Sequence, residues 1–142
     1  MQIRLGINGF GRIGRSVFRQ LLDNKNITVV GINDLTDPIT LAHLLKYDST
    51  HGVLDTEVSI QESTLLVNKK KIEVFAEPNP KDIPWRDLNV DVVIESTGRF
   101  TQKEDAFSHI IAGAKKVIIS APSADAKTIV IGVNEETLDN KD

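Results

Sequence analysis

Gly9-Phe10-Gly11-Arg12-Ile13-Gly14 places three glycines at the spacing that lets bare main chain meet a phosphate. A glycine-rich turn from strand to helix removes the Cβ atoms that keep backbone N–H groups away from an anion. It also aims the positive end of a helix dipole at the same point. In such a turn Gly9 permits the tight bend, Gly11 lets a pyrophosphate come close, and Gly14 lets the helix pack on the strand. A purely structural turn would explain the glycines but not their surroundings. The apolar run Ile3–Ile7 precedes them and a helical pattern follows as far as Leu22. Asp34 ends the next strand-like run about 20 residues past the last glycine, where a dinucleotide fingerprint carries its ribose-binding acid. A carboxylate there accepts hydrogen bonds from the adenosine ribose and repels a 2′-phosphate, and Leu35 and Thr36 bring no arginine beside it. That favours NAD over NADP. The competing role for Asp34, a turn residue or helix cap, is filled better by Asp37.

Two other segments follow strand-like runs and should converge on the glycine turn, because ligands of open α/β sheets bind outside the carboxyl ends of the strands. These are Ser96-Thr97-Gly98-Arg99-Phe100 and Ser120-Ala121-Pro122. Their hydroxyls and small residues suit close approach to a ribose or an amide; the alternative is an ordinary strand-to-helix turn. Arg12 and Arg15 sit at a helix start, where the dipole disfavours them, so they either meet an anionic partner or are solvated surface. His43, His51 and His109 show no ligand spacing. His43 and His109 read as helix-surface or partly buried residues, and His51 has no evident partner. With carboxylates scattered and no cysteine, neither a metal site nor a self-contained catalytic constellation emerges.

The elements that must position these residues alternate between strand and helix, the pattern of a mostly parallel sheet covered on both faces. After Ile3–Ile7 come a helix with Ile13, Val17 and Leu21 as its stripe, flanked by Phe10 and Phe18, and then the β-branched strand Ile27–Ile32. Asp37-Pro38 starts a second helix faced by Leu41, Leu44 and Leu45. Residues 51–75 break the alternation. Glu57–Ile60, Thr64–Val67 and Lys71–Phe75 read as an antiparallel excursion with Asn68-Lys69 at a hairpin tip. Pro78, Pro80 and Pro84 mark an irregular link to the strand Val90–Glu95. Thr101-Gln102-Lys103-Glu104 reads as a capping box for a helix running to Ala112 and stopping at Gly113. Lys116–Ser120 and Thr128–Val133 read as two more strands. The fold class is thus α/β, a Rossmann-type doubly wound sheet with a small antiparallel excursion, and residues 1–142 form one domain of ordinary size.

A formal net charge of −3, with Lys69-Lys70-Lys71 as the densest basic cluster, argues against a nucleic-acid partner. No apolar stretch approaches the 18 or so residues that span a bilayer, and no signal-peptide pattern opens the chain, which makes the cytoplasm the default expectation.

At the residues already quoted the chain resembles the glyceraldehyde-3-phosphate dehydrogenase family, in its bacterial-type form. Ile7–Arg15, Asn33–Asp37, His43–Gly52, Glu95–Thr101, Lys115–Pro122 and Gly132–Glu135 carry the resemblance in the family's order. The related erythrose-4-phosphate dehydrogenases share the first motif. The resemblance implies a Rossmann domain binding NAD in a glycolytic oxidoreductase. By it Gly9, Phe10, Gly11, Arg12 and Ile13 form the pyrophosphate loop, and Asn33, Asp34 and Leu35 lie at the adenosine ribose. Ser96, Thr97, Gly98 and Phe100 would wall the adenine side and crevice, while Ser120 and Ala121 lie towards the nicotinamide. Main-chain contacts near Glu77-Pro78 are implied too, although Pro78 replaces a residue that is often basic. Ser123–Ala126 departs from the family's usual lysine-containing turn. The family's catalytic cysteine and histidine have no counterpart in this sequence, so the resemblance implies cofactor binding without turnover. It further implies a separate catalytic domain as partner, and self-association through surface that domain would cover. A stand-alone NAD-sensing module is the competing reading.

Overall fold

In a computed structural model, which describes residues 2–48, 52–54, 56–129 and 133–138, the glycine turn joins β1 (Ile3–Asn8) directly to α1 (Arg12–Leu21). β2 (Ile27–Asn33) returns parallel to β1, and α2 (Pro38–Lys46) follows it. Asp37 caps α2 as its sequence demands: Thr40 N–H donates to Oδ1 at 2.9 Å and Pro38 occupies the first helical position. A short antiparallel ribbon of β3 (Tyr47–Asp48) and β4 (Gly52–Val53) comes next. Two cations tie down its surroundings. Arg19 donates to the carbonyls of Leu45 (2.7 Å) and Gly52 (2.9 Å), and Lys46 Nζ donates to those of Leu54 and Thr56, both at 2.7 Å.

The expected excursion is a meander of β5 (Val58–Gln61), β6 (Thr64–Val67) and β7 (Lys70–Phe75). Asn68 and Lys69 both take positive φ (51° and 67°), the twist a two-residue hairpin needs. β7 lies parallel to β2 and so joins the excursion to the main sheet. The chain then crosses to the far side of β1 as β8 (Val92–Glu95), continues through α3 (Lys103–Ile111), and adds β9 (Lys116–Ile119). The seven-stranded order β5-β6-β7-β2-β1-β8-β9 reverses direction at β1, which is the switch point of a doubly wound fold.

Two apolar clusters cover the sheet. One joins Leu5, Ile7 and Ile32 to Phe18 of α1, Leu41 and Leu45 of α2 and the inward side chains of the meander. The other surrounds Trp85 with Val30, Ile83, Val90 and Val93. Trp85 occupies a notch left by glycines on paired strands: a Cβ at Gly6 would lie 2.6 Å from its ring, and one at Gly31 would lie 3.1 Å away.

Several expectations shift. Ile13 is 51% exposed, because Gly14 must face the turn; the buried stripe is Gly14 and Phe18, flanked by Val17 and Leu21. The cap of α3 is Gln102 rather than Thr101. Asp105 Oδ2 accepts from Gln102 N–H at 3.4 Å, while Asp125, distant in sequence, accepts from Lys103 N–H at 2.9 Å. His109 is fully buried rather than at a helix surface or partly buried. Of the expected strand Thr128–Val133, residues 130–132 lie outside the described residues, and the described flanks are not strand. His51 also lies outside them. Among the described residues no helix is long and apolar enough to cross a membrane.

Candidate functional site

Three neighbouring apolar strands reach one edge of the sheet with a buried polar residue at each end: Asn33, Asn8 and Glu95. The main-chain ladder runs one residue past them. Gly9 N–H donates to Asn33 O and Ser96 N–H to Asn8 O, both at 2.8 Å. Side chains extend it laterally, Asn33 Nδ2 donating to Asn8 Oδ1 at 2.9 Å and Asn8 Nδ2 to Glu95 Oε1 at 2.6 Å. The Asn33 amide also pairs with the main chain of Glu77, accepting from N–H at 2.8 Å and donating to C=O at 3.0 Å.

These strand ends hold the loops above them. Gly9 has φ of +91°, and a Cβ there would lie 2.7 Å from Thr97 N. Ser96 Oγ clasps the two loops together, donating to Gly9 O at 2.5 Å and Asn8 O at 3.1 Å. A Cβ on Gly14 would collide with Gly9 O. Gly11 differs, for a Cβ there meets nothing within 4 Å. Two glycines thus serve contacts inside the fold and the middle one faces open space. α1 has neither a side-chain cap nor an acid in its first turn, and its first backbone bond is Arg15 N–H to Gly11 O at 2.9 Å. The N–H groups of Arg12 and Ile13 are therefore unpaired among the described residues, at the positive end of the helix.

Asp34 faces the turn from β2. Its Oδ2 accepts from Phe10 N–H at 2.7 Å and its Oδ1 from Thr36 N–H at 2.9 Å. A carboxylate offers about four lone-pair sites, so each oxygen can still accept from a ligand hydroxyl. A groove of about 240 Å³ opens between Asn8, Gly9, Gly11, Asn33, Asp34 and Leu35 on one side and Ser96, Thr97 and Arg99 on the other.

Beneath the groove Glu95 is saturated by donors. Asn8 Nδ2 (2.6 Å) and His109 Nε2 (2.8 Å) share Oε1; Thr97 N–H (3.0 Å) and Oγ1 (2.6 Å) share Oε2. Trp85 Nε1 donates to His109 Nδ1 at 3.0 Å, and an indole can only donate, so the ring hydrogen of His109 sits on Nε2. Burial pushes the Glu95 carboxyl up, but the hydrogen bonds from His109, Thr97 and Asn8 outweigh it and leave the group below its ordinary 4.5.

Of the residues expected from sequence, Gly9, Gly11, Asn33, Asp34, Leu35, Ser96 and Thr97 line this groove. The hydroxyl protons of Ser96 and Thr97 are spent inside the fold. Phe10 is buried behind the turn, edge-on to Phe18 at 5.8 Å. Arg12 and Ile13 stand exposed on the first turn of α1, and Pro78 is exposed beside Glu77. Gly98 (φ +75°) and Phe100 belong to the loop after β8, where Arg99 lies 5.5 Å over the Phe100 ring. Ser120 directly follows β9, donating through N–H (3.0 Å) and Oγ (3.2 Å) to Glu95 O, and Ala121 comes next. Asn8, Glu95 and His109 were not expected at the site, and Arg99 was expected only as part of the segment after β8. The signal for Asn8 and Glu95 was present, since each apolar strand ends in an amide or acid. Among the described residues no cluster of His, Cys, Asp or Glu could hold a metal ion.

The sequence matches the family described as glyceraldehyde 3-phosphate dehydrogenase, NAD binding domain, over residues 3–103. It is similar to glyceraldehyde-3-phosphate dehydrogenase of Geobacillus stearothermophilus, 59% identical over 99% of this chain and 42% of that protein. Glyceraldehyde-3-phosphate dehydrogenase 1 of Bacillus cereus is 58% identical over 96% of the chain and 41% of its own length. The Mycoplasma pneumoniae enzyme of that name is 54% identical over 99% and 42% respectively. The chain thus spans about two fifths of the length of these relatives.

Proposed function

Because the chain belongs to the family of glyceraldehyde 3-phosphate dehydrogenase NAD-binding domains, whose cofactor is NAD, we propose that it holds NAD along this groove for the phosphorylating oxidation of glyceraldehyde 3-phosphate. The observation that carries the reading is Gly11: the one glycine of the turn where an added Cβ would meet no atom within 4 Å, it stands beside helix N–H groups unpaired among the described residues and opposite a carboxylate with acceptor capacity to spare. The residues fit a dinucleotide. Gly11, Arg12 and Ile13 would receive the diphosphate on main-chain N–H groups, and Asp34, beside Leu35, would accept the adenosine ribose hydroxyls. Thr97, Gly98 and Phe100 would flank the adenine half, with Ser120 and Ala121 towards the nicotinamide. NAD, when bound, supplies the hydride acceptor.

The complete reaction joins aldehyde, NAD and phosphate to give acyl phosphate and NADH. With no cysteine, this chain lacks the thiol that its resemblance assigns to that reaction, so its part is cofactor binding and its partner a catalytic domain. Self-association belongs to the same proposal, supported by exposed Phe107, Ile111 and Ile118 beside the last strand of the sheet. So does a cytoplasmic setting. Calorimetric titration with NAD and NADP tests the reading. NAD at 100 times its dissociation constant should stabilise the chain by about 2.7 kcal/mol, with NADP at least about tenfold weaker. No heat and no melting shift at millimolar NAD would overturn it.

A further inference from the structure

Two hydrogen-bonded chains converge on one buried atom group below the groove. From one side Trp85 donates to His109 and His109 to Glu95; from the other, Asn33 donates to Asn8 and Asn8 to Glu95. Every donor points the same way, and Glu95 only accepts. Glu95, His109 and Trp85 are 1%, 0% and 0% exposed, so protein groups alone replace the water a carboxylate would otherwise hold.

The direction of these bonds has a structural consequence. An amide side chain can be turned over, exchanging its oxygen and nitrogen, at little cost in shape. Because Glu95 cannot donate, the Asn8 nitrogen must face it, which leaves Asn8 Oδ1 towards Asn33. The Asn33 nitrogen must then face Asn8, and its oxygen is left to accept from Glu77 N–H. On the other arm, both donors of Thr97 are drawn down to Oε2, setting the loop against which Gly9 is pressed. One acceptor therefore dictates the pose of all three strand ends that floor the groove.

We infer that Glu95 is a positioning residue for the cofactor, a buried acceptor that orients Asn8, Asn33 and Thr97, with His109 holding it in place. This rests on the cofactor reading above. Apolar side chains of similar volume would fill the same space with less desolvation, so packing alone gives no reason for an acid here. Holding loops to the tolerance a preorganised site requires does give one. Held by four donors from three directions, the carboxylate has no second pose to relax into.

The test uses the chain with Glu95→Gln, His109→Leu and His109→Gln. Gln at 95 sets a donor against donors. Leu at 109 removes one support without touching the groove, and Gln at 109 can both donate to Glu95 and accept from Trp85. Each variant is titrated with NAD calorimetrically, its unliganded melting is recorded, and the side-chain amide resonances of Asn8 and Asn33 are compared with wild type. Folded E95Q and H109L should bind NAD at least about tenfold more weakly, the scale seen when supporting partners of a ligand-holding group are lost. The Asn8 and Asn33 amide signals should move, and H109Q should restore both properties. If E95Q does not fold, the H109L and H109Q pair decides. H109L binding like wild type with unmoved amide signals, or H109Q failing to restore what H109L loses, would overturn the inference. If wild type itself shows no NAD binding, the cofactor reading fails, and the amide signals in H109L still decide whether Glu95 orients the floor.

Discussion

Gly11→Ala should separate ligand binding from folding. The residue has φ −78° and ψ −157°, which alanine adopts without strain, and its added Cβ meets no atom within 4 Å. Restricting the unfolded chain gains about 0.4–1 kcal/mol. Alanine is a poorer helix N-cap than glycine by an amount of similar size, of order 0.5–1 kcal/mol. The terms oppose, so melting should change by no more than about 1 kcal/mol. The same methyl group stands where, on the proposed binding mode, a diphosphate would touch main chain, and losing that contact should weaken NAD by at least about tenfold, or 1.4 kcal/mol. Gly14→Ala is the contrasting variant. Its Cβ runs into Gly9 O and lies 3.2 Å from both Ile7 Cγ2 and Ser96 Oγ, none of which moves freely. Overpacking of this kind costs about 1–3 kcal/mol, a fall of roughly 3–10 °C in melting temperature. Thermal denaturation without ligand, followed by calorimetry with NAD, reads both effects. Wild-type affinity in the Gly11 variant, or a large loss of its stability, would rule out a diphosphate seat at Gly11.

Asp34→Ala should cut NAD affinity at least about tenfold and cost about 1.5–3 kcal/mol by stranding Phe10 N–H; equal titration curves for the variant and wild type would count against it. Gly6→Ala, by crowding Trp85 at 2.6 Å, should destabilise the chain by about 1–3 kcal/mol without altering the cofactor preference measured on the folded fraction. Glu95 is held below its ordinary 4.5, and Asp91, bonded by Arg4 N–H and Lys115, below its ordinary 3.8. A carboxyl lowered on folding stabilises above its unfolded value and loses that contribution as pH falls through its folded one. Urea unfolding should therefore give a flat stability above about pH 5 and a decline from about pH 4.5 downward; a rise on acidification would contradict this.

The central parallel strands were legible because burial on both faces leaves continuous β-branched runs such as Ile27–Ile32, and the meander because its hairpin tip is short and polar. The glycine turn and Asp34 were legible because their spacing along the chain is itself the signal. What stayed hidden depends on contacts between distant segments. Asp125 caps α3 from 22 residues away, and no local pattern announces it. Ile13 reads as core by periodicity alone, but the need of Gly14 to face Gly9 turns it outward. His109 reads as a helix-surface or partly buried residue until β8 and Trp85 close around it. Ser96 and Thr97 were legible as residues at the carboxyl end of a strand, yet the inward use of their hydroxyls depends on the geometry of two loops.

Backbone amide resonances of the isotopically labelled chain, followed through a titration with NAD, report where the cofactor sits. Saturable shifts should appear at Gly11, Arg12, Ile13 and Thr97, with the apolar hollow formed by Phe18, Leu21 and Ile72 undisturbed. Shifts confined to that hollow, or no shifts at saturating NAD, would contradict that placement.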